Sequence, residues 1–336
     1  MSPFGPLDQQ ALSWLLEPDS PGVRFLALRD LCSLATHDPE LVRARRAAHQ
    51  DGPIATILDK MAPAGYWEKP GPGYNPKYFS TDWSIIHLAQ LGASIKEDER
   101  IRKACAYVLD HALTDGGQFS VTGPPSGTID CLQGNLCWAL AELGCEDSRL
   151  EGGFDWMART VTGEDIAPAT DKKAELRYYA YKCGPGFACG VNNRLPCAWG
   201  AVKVMLALGK VPPERRTRLA QKAIDMGIDF LFSVDPATAG YPSPTTGKPN
   251  QSWWRFGFPL FYVTDILQIV EALVRLGYAK DLRLANAMNL IRSKQDSDGR
   301  WPMEYPLNDK TWVDHGPKGK PNKWVTYRAL RVLKEI

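Results

Sequence analysis

Three cysteines, Cys183, Cys189 and Cys197, recur at C-x5-C-x7-C spacing in the Gly/Pro/Asn-rich stretch from Lys182 to Leu208. A fourth, Cys131, follows Thr128-Ile129-Asp130 at the start of an earlier apolar run. Two of the four begin apolar helices, where free backbone N–H groups and the helix dipole favour a thiolate. Four thiolates from one loop and two helix starts suit a tetrahedral Zn2+ site or an iron–sulfur cluster, with unpaired thiols and disulfides as the alternatives. A four-cysteine zinc site has no open position, so zinc there would tie down the loop rather than catalyse. Cys105 and Cys137 fall at apolar helical positions and Cys32 and Cys145 at helix ends, where cysteine acts as a small core residue.

A second set is carboxylic. Asp82, Asp130 and Asp265 fall at or near the first turns of three apolar helices. Buried there, such groups gain raised pKa values and can act as general acids. N-capping competes with that reading, and suits Asp82 and Asp130 better than Asp265. Aromatics gather at the same helix starts and in the connecting loops: Trp83, Trp199, Trp254, Tyr262 and Trp324, with Tyr74, Tyr78, Tyr178, Tyr179 and Tyr181. Such rings can hold an isoprenoid chain, stabilise a carbocation, stack on sugars, or simply pack over a barrel end. Lys77, Lys182 and Arg255 share these loops as possible anion partners or solvated charges. His87 lies in an apolar helix and reads as a core residue, and His315 is a weaker loop candidate beside Asp314. No Ser/His/Asp order, Gly-rich phosphate loop or His-Glu-x-x-His element stands out.

Two kinds of helix must position these residues. Six runs are apolar nearly all round, which marks buried helices: Val23–Leu31, Trp83–Leu91, Cys131–Leu143, Cys197–Leu208, Val263–Leu276 and Trp324–Ile336. Charged amphipathic helices alternate with them. Three of these end in a glycine turn before an aromatic, at Gly65-Tyr66-Trp67, Gly117-Gln118-Phe119 and Gly299-Arg300-Trp301. Repetition on this scale means stacked helix pairs. Six pairs, with inner-type helices near both ends, predict an all-α (α/α)6 toroid of six inner and about six outer helices. One domain is expected over residues 1–336, with an irregular, cysteine-bearing insertion at about 160–196. The net charge of +2 gives no reason to expect nucleic acid as a partner. The absence of a signal-peptide pattern and of a long apolar run leads to an expectation of a cytoplasmic protein. The oligomeric state is left open.

The helix-pair repeat and the Gln295-x-x-x-Gly299-x-Trp301 element resemble those of the terpenoid cyclase and protein prenyltransferase toroids. The segments IDCLQGN, PCAWGAVK, FGFPLFYVTDIL, DGRWPMEY and GKPNKWVTYRALRVLK further resemble bacterial proteins built of prenyltransferase/squalene-oxidase repeats. The resemblance covers most of the chain. It implies an apolar isoprenoid-type substrate at the inner-helix mouth, with Asp130 or Asp265 as the acid. The sequence carries neither the Asp-x-Asp-Asp element of class II cyclases nor the Asp-Asp-x-x-Asp element of class I enzymes. Asp130-Cys131 matches only the first two zinc ligands of the prenyltransferases. A glycan-active toroid and a non-catalytic, metal-stapled binding protein are the alternatives.

Overall fold

The computed structural model describes residues 4–123, 127–178, 183–244 and 248–335. Tyr179, Tyr181 and Lys182 therefore lie outside the described residues.

Among the described residues six inner helices form the wall of a barrel: α2 (Pro21–Leu26, continued by a π-turn through Leu31), α5 (Thr81–Gln90), α7 (Asp130–Leu143), α9 (Ala198–Leu208), α11 (Ile266–Leu273) and α13 (Lys323–Leu333). α5 packs on α7, α7 on α9, α9 on α11, α11 on α13 and α13 on α2. Gly92, just past α5, sits against Leu26 and Phe25 of α2 and completes the ring. Each inner helix carries an outer one. These are α3 (Pro39–Gln50) on α2, α6 (Glu99–His111) on α5, α8 (Arg149–Thr162) on α7, α10 (Arg218–Leu231) on α9 and α12 (Ala285–Ser293) on α11. The outer partner of α13 is α1 (Pro6–Leu15), from the opposite end of the chain. The two termini thus close one another's repeat, as an (α/α)6 toroid requires. A short helix, α4 (Pro53–Leu58), follows α3.

The glycine–aromatic turns are one device used repeatedly. The backbone N–H of Trp67 donates to Thr81 Oγ1 (3.1 Å), that of Phe119 to Gln133 Oε1 (2.7 Å) and that of Trp301 to Thr326 Oγ1 (2.9 Å). Each acceptor lies in the first turns of the next inner helix. The indole N–H of Trp67 reaches back to the Ile57 carbonyl and that of Trp301 to the Ile291 carbonyl, both at 2.7 Å. Ala239-Gly240-Tyr241 stands in the corresponding place with Ala239, at φ +47°, where the others have glycine, and the Tyr241 hydroxyl donates to the Leu231 carbonyl at 2.7 Å. The glycines are required twice over. Gly117 and Gly299 have φ of +87° and +79°, and a Cβ on either would stand 2.1–2.2 Å from the carbonyl oxygen of Gly152 on α8 or of Leu7 on α1.

Several boundaries differ from expectation. Asp265 caps α11, so this helix starts at Ile266 rather than Val263. α8 runs from Arg149 to Thr162, so the irregular stretch before α9 begins only after it. α13 is not apolar all round, because Arg328 and Arg331 project from it toward the barrel interior.

Candidate functional site

The inner helices run the same way. A Cβ on Gly200, in the first turn of α9, would stand 3.1 Å from the Asp130 Cβ at the start of α7. At the other end Arg331 of α13 reaches Glu271 of α11, and Lys210 beyond α9 reaches Glu142 of α7 at 2.6 Å. The mouth built from helix starts therefore collects Asp82, Asp130 and Asp265.

The three carboxylates differ, and not as capping propensity suggests. Asp265 is the cap: it accepts from the Gln268 N–H at 2.8 Å. It also forms a two-pronged ion pair with Arg328, both prongs at 2.8 Å. Asp82 caps nothing. It sits at the second position of α5, wholly buried, and neither carboxyl oxygen makes a hydrogen bond. Burial alone raises its pKa well above the carboxylate range. Asp130 opens α7 with no capping bond and with Oδ2 unpartnered. Burial first, and the Cys189 thiol second, push its pKa up to about 8. A buried polar atom without a partner loses its full hydration, so these two acids have no stabilising role in view.

The loop at 71–80 wraps the start of α5. Ser80 Oγ donates to the Gly73 carbonyl (2.7 Å), the Asp82 N–H to the same carbonyl (3.0 Å) and the Trp83 indole to the Tyr74 carbonyl (2.7 Å). Gly73, at φ +87°, is pressed so close that a Cβ would stand 2.9 Å from Asp82 Oδ1. Around this acid stand Tyr74, Trp83 and Tyr262, with ring centroids 5.0–6.2 Å apart. Tyr78 and Phe261, stacked at 4.8 Å, extend the set. The Lys77 ammonium lies over the box, 4.7 Å from the Tyr262 centroid, 5.0 Å from Tyr74 and 5.9 Å from Trp83. The rings already hold a cation, at distances where cation–π attraction operates.

Of the other ring candidates, Trp324 stacks on Phe258 at 4.5 Å and lies beside His315. Trp199 faces Trp253 at 6.3 Å, and the Trp254 indole donates to the Ala237 carbonyl; both stand apart from the box. The two histidines meet across 228 residues, Nε2 to Nε2 at 2.7 Å. Burial lowers both, His315 to about 3, so each ring is neutral and one donates while the other accepts.

The cysteines also converge. β1 (Cys183–Gly184) pairs antiparallel with β2 (Ala188–Cys189), placing Cys183 opposite Cys189. Ala188 bridges Pro196, so Cys189 and Cys197 point to the same side of this small ladder. Burial raises the Cys131 and Cys183 thiols, each with further contributions from Cys189 and Asp130, and a hydrogen bond with Cys189 is the largest cause raising Cys197. Among the described residues no three His, Cys, Asp or Glu side chains form a group that could hold a metal ion.

The barrel itself is filled from within. The segment after β3 (Gly257–Phe258, parallel to β4, Tyr305–Pro306) enters between the inner helices. Gln90 grips Leu260 through both its N–H (2.8 Å) and carbonyl (2.7 Å), and Asn135 holds the Phe261 carbonyl at 3.0 Å. These bonds set Phe261 and Tyr262 into the box. Beyond the segment lies a narrow cavity of about 40 Å3 lined by both apolar and charged side chains, among them Leu206, Phe258, Lys203 and Arg331. The interior of the barrel is thus occupied largely by the protein's own side chains. No helix among the described residues is long and apolar enough to cross a membrane.

No family model matches the chain, and no curated protein matches it. Solved structures do. Glycosyl hydrolase family 88 from Bacteroides vulgatus is 11% identical over 98% of this chain and 96% of its own, with TM-score 0.51. The type II terpene cyclase MstE from Scytonema is 14% identical over 98% and 96%, with TM-score 0.46. The GH76 alpha-mannanase BT2949 of Bacteroides thetaiotaomicron is 10% identical over 98% and 84%, with TM-score 0.41. At such identities the likeness is one of fold: the chain is an α/α toroid.

Proposed function

We propose that the protein binds an apolar isoprenoid-type molecule at the inner-helix mouth and acts on it by protonation, with Asp82 as the acid. One observation carries this reading. A wholly buried carboxyl with neither oxygen bonded stands beside a ring box that already accepts a cation. An acid in that position keeps its proton at neutral pH, as a general acid must. It would pass the proton to an alkene carbon, and the positive charge so formed would fall among Tyr74, Trp83 and Tyr262, where the Lys77 ammonium now sits. The cation would lose its proton to water, and the carboxylate left behind would recover one from solvent when product leaves. The 71–80 loop covers the acid, so entry requires that loop to lift. Asp265, neutralised by Arg328, acts here as a brace.

The four thiols enter as a proposed staple for the loop between α8 and α9. Turned toward one point, they would give a closed, structural zinc site. Stoichiometric zinc in protein purified without oxygen supports the staple, and zinc-free folded protein removes it.

The test of function is turnover. Squalene, geranylgeranyl diphosphate and a panel of oligosaccharides are incubated separately with the protein, and products are separated by mass. A cyclised or isomerised polyene supports the reading. Cleaved oligosaccharide with polyenes untouched replaces it with a glycan-active toroid, for which the fold is equally suited.

A further inference from the structure

Two thiols meet at the end of the barrel opposite the mouth, apart from the four-cysteine cluster. Cys105 is buried on the outer helix α6, and Cys145, half-buried, follows the inner helix α7. Neither is in a disulfide, and the Cys105 S–H donates to the Cys145 sulfur. Both backbones are held. Gly144, at φ +88°, ends α7 in a left-handed turn, from which the Cys145 N–H returns to the Leu140 carbonyl (2.9 Å) and the Gly144 N–H to the Ala141 carbonyl (3.2 Å). The Ile95 N–H, between α5 and α6, donates to the Leu143 carbonyl at 3.0 Å and ties that connection to the end of α7. The residue just past such a turn commonly packs an apolar side chain back on its own helix. Cys145 instead lines two openings. One, of about 190 Å3, lies between α6 and the turn and is shared with Cys105, Arg102 and Leu109. The other, of about 520 Å3, lies between α8 and the stretch joining α9 to α10, beside Phe154 and Val211. Glu146, exposed to solvent, borders both. A small molecule can therefore reach Cys145 from outside, with Cys105 directly behind it.

We propose that Cys145 and Cys105 are a reactive dithiol that exchanges with low-molecular-weight disulfides and closes into a Cys105–Cys145 disulfide linking α6 to the end of α7. The Cys145 thiolate attacks one sulfur of the small disulfide. That S–S bond breaks, one small thiolate leaves, and a mixed disulfide forms on Cys145. Cys105 gives its proton to the departed thiolate, and its sulfur attacks Cys145 Sγ. The second small thiolate leaves as the protein disulfide forms. Two protein thiols are oxidised by two electrons, and one small disulfide is reduced to two thiols. The division of labour follows from the surroundings. The Cys105 S–H, the largest cause, and the Asp147 N–H, against burial, lower the Cys145 thiol to about 7, where attack on a disulfide is fastest near neutral pH. The same bond, with burial, holds Cys105 well above the ordinary thiol range, so it waits until Cys145 has reacted. The pair thus does more than fill the core.

The test incubates the intact, reduced chain with 2-hydroxyethyl disulfide at neutral pH, blocks free thiols with N-ethylmaleimide at intervals, and maps the peptides by mass. The expected result is a Cys105–Cys145 disulfide that forms at least tenfold faster than any adduct on another cysteine and is reversed by dithiothreitol. Cys105→Ala should instead retain the hydroxyethylthio group on Cys145. Cys145→Ser should lose the fast reaction and leave Cys105 free. If either variant does not fold, the wild-type map decides alone. A fast disulfide among Cys131, Cys183, Cys189 and Cys197 with Cys105 and Cys145 still free overturns the proposal. So does an adduct that stays on wild-type Cys145 without closing, or reaction of Cys145 only in urea.

Discussion

Replacing Asp130 by Asn isolates the cost of a buried acid. The wild-type carboxyl is buried at the start of α7 with Oδ2 unpartnered and its pKa near 8, against about 3.9 for an unfolded aspartate. Its folded pKa is raised, so its contribution to stability is fully present below pH ~3.9 and is lost as pH rises toward 8. Near pH 5 the loss is about 1.5 kcal/mol, and near pH 8 about 5 kcal/mol, from ~1.36 kcal/mol per unit. The amide has no proton to lose. Stability of the variant relative to wild type should therefore rise by roughly 4 kcal/mol between pH 5 and pH 8. The unpartnered amide itself costs about 1–3 kcal/mol, so the variant is near wild type at pH 5 and clearly more stable at pH 8. Urea unfolding of both proteins at a series of pH values measures the gap. A gap that stays constant with pH would refute the reasoning, since it would mean that Asp130 ionises in the folded protein as it does in the unfolded chain.

Three further outcomes follow from the packing. Arg328→Met leaves the Asp265 carboxylate buried without its partner and should cost about 3–5 kcal/mol by denaturant titration; the double replacement with Asp265→Asn should recover much of that. Gly117→Ala combines a left-handed φ with a Cβ 2.1 Å from a backbone oxygen, and should lower stability by about 3 kcal/mol or more, read as a lower melting temperature. The His87–His315 pair stays neutral when folded, so its share of stability is full above pH ~6.5 and falls as pH drops below that. His315→Gln should flatten the wild-type loss of stability between pH 6.5 and 4.5.

The ring of helix pairs was legible because its signals are local. Apolar runs such as Trp83–Leu91, and glycines held before Trp67, Phe119 and Trp301, follow from burial and backbone geometry within a few residues. The clustering of Cys183, Cys189 and Cys197 was also foreshadowed by their place in one loop. What sequence could not settle were relations set by the far side of the ring. Asp82 and Asp265 both precede apolar runs, yet Asp265 caps while Asp82 bonds nothing, because the helix starts differ by two residues in phase. His87 meets His315 only once the last loop folds over α5. Lys203, Arg328 and Arg331 look like ordinary charges on long helices until the ring closes and turns them inward. A single lysine within AWGAVKVMLAL is the one local sign of this.

The measurement that bears most directly on Asp82 as the acid is polyene turnover in deuterated water by wild type and by Asp82→Asn. The expected result is a product carrying one solvent deuterium at the protonated carbon with the wild type, and none formed by a variant whose fold and melting temperature are intact. Equal product from the variant, or product without the label, would contradict protonation by Asp82.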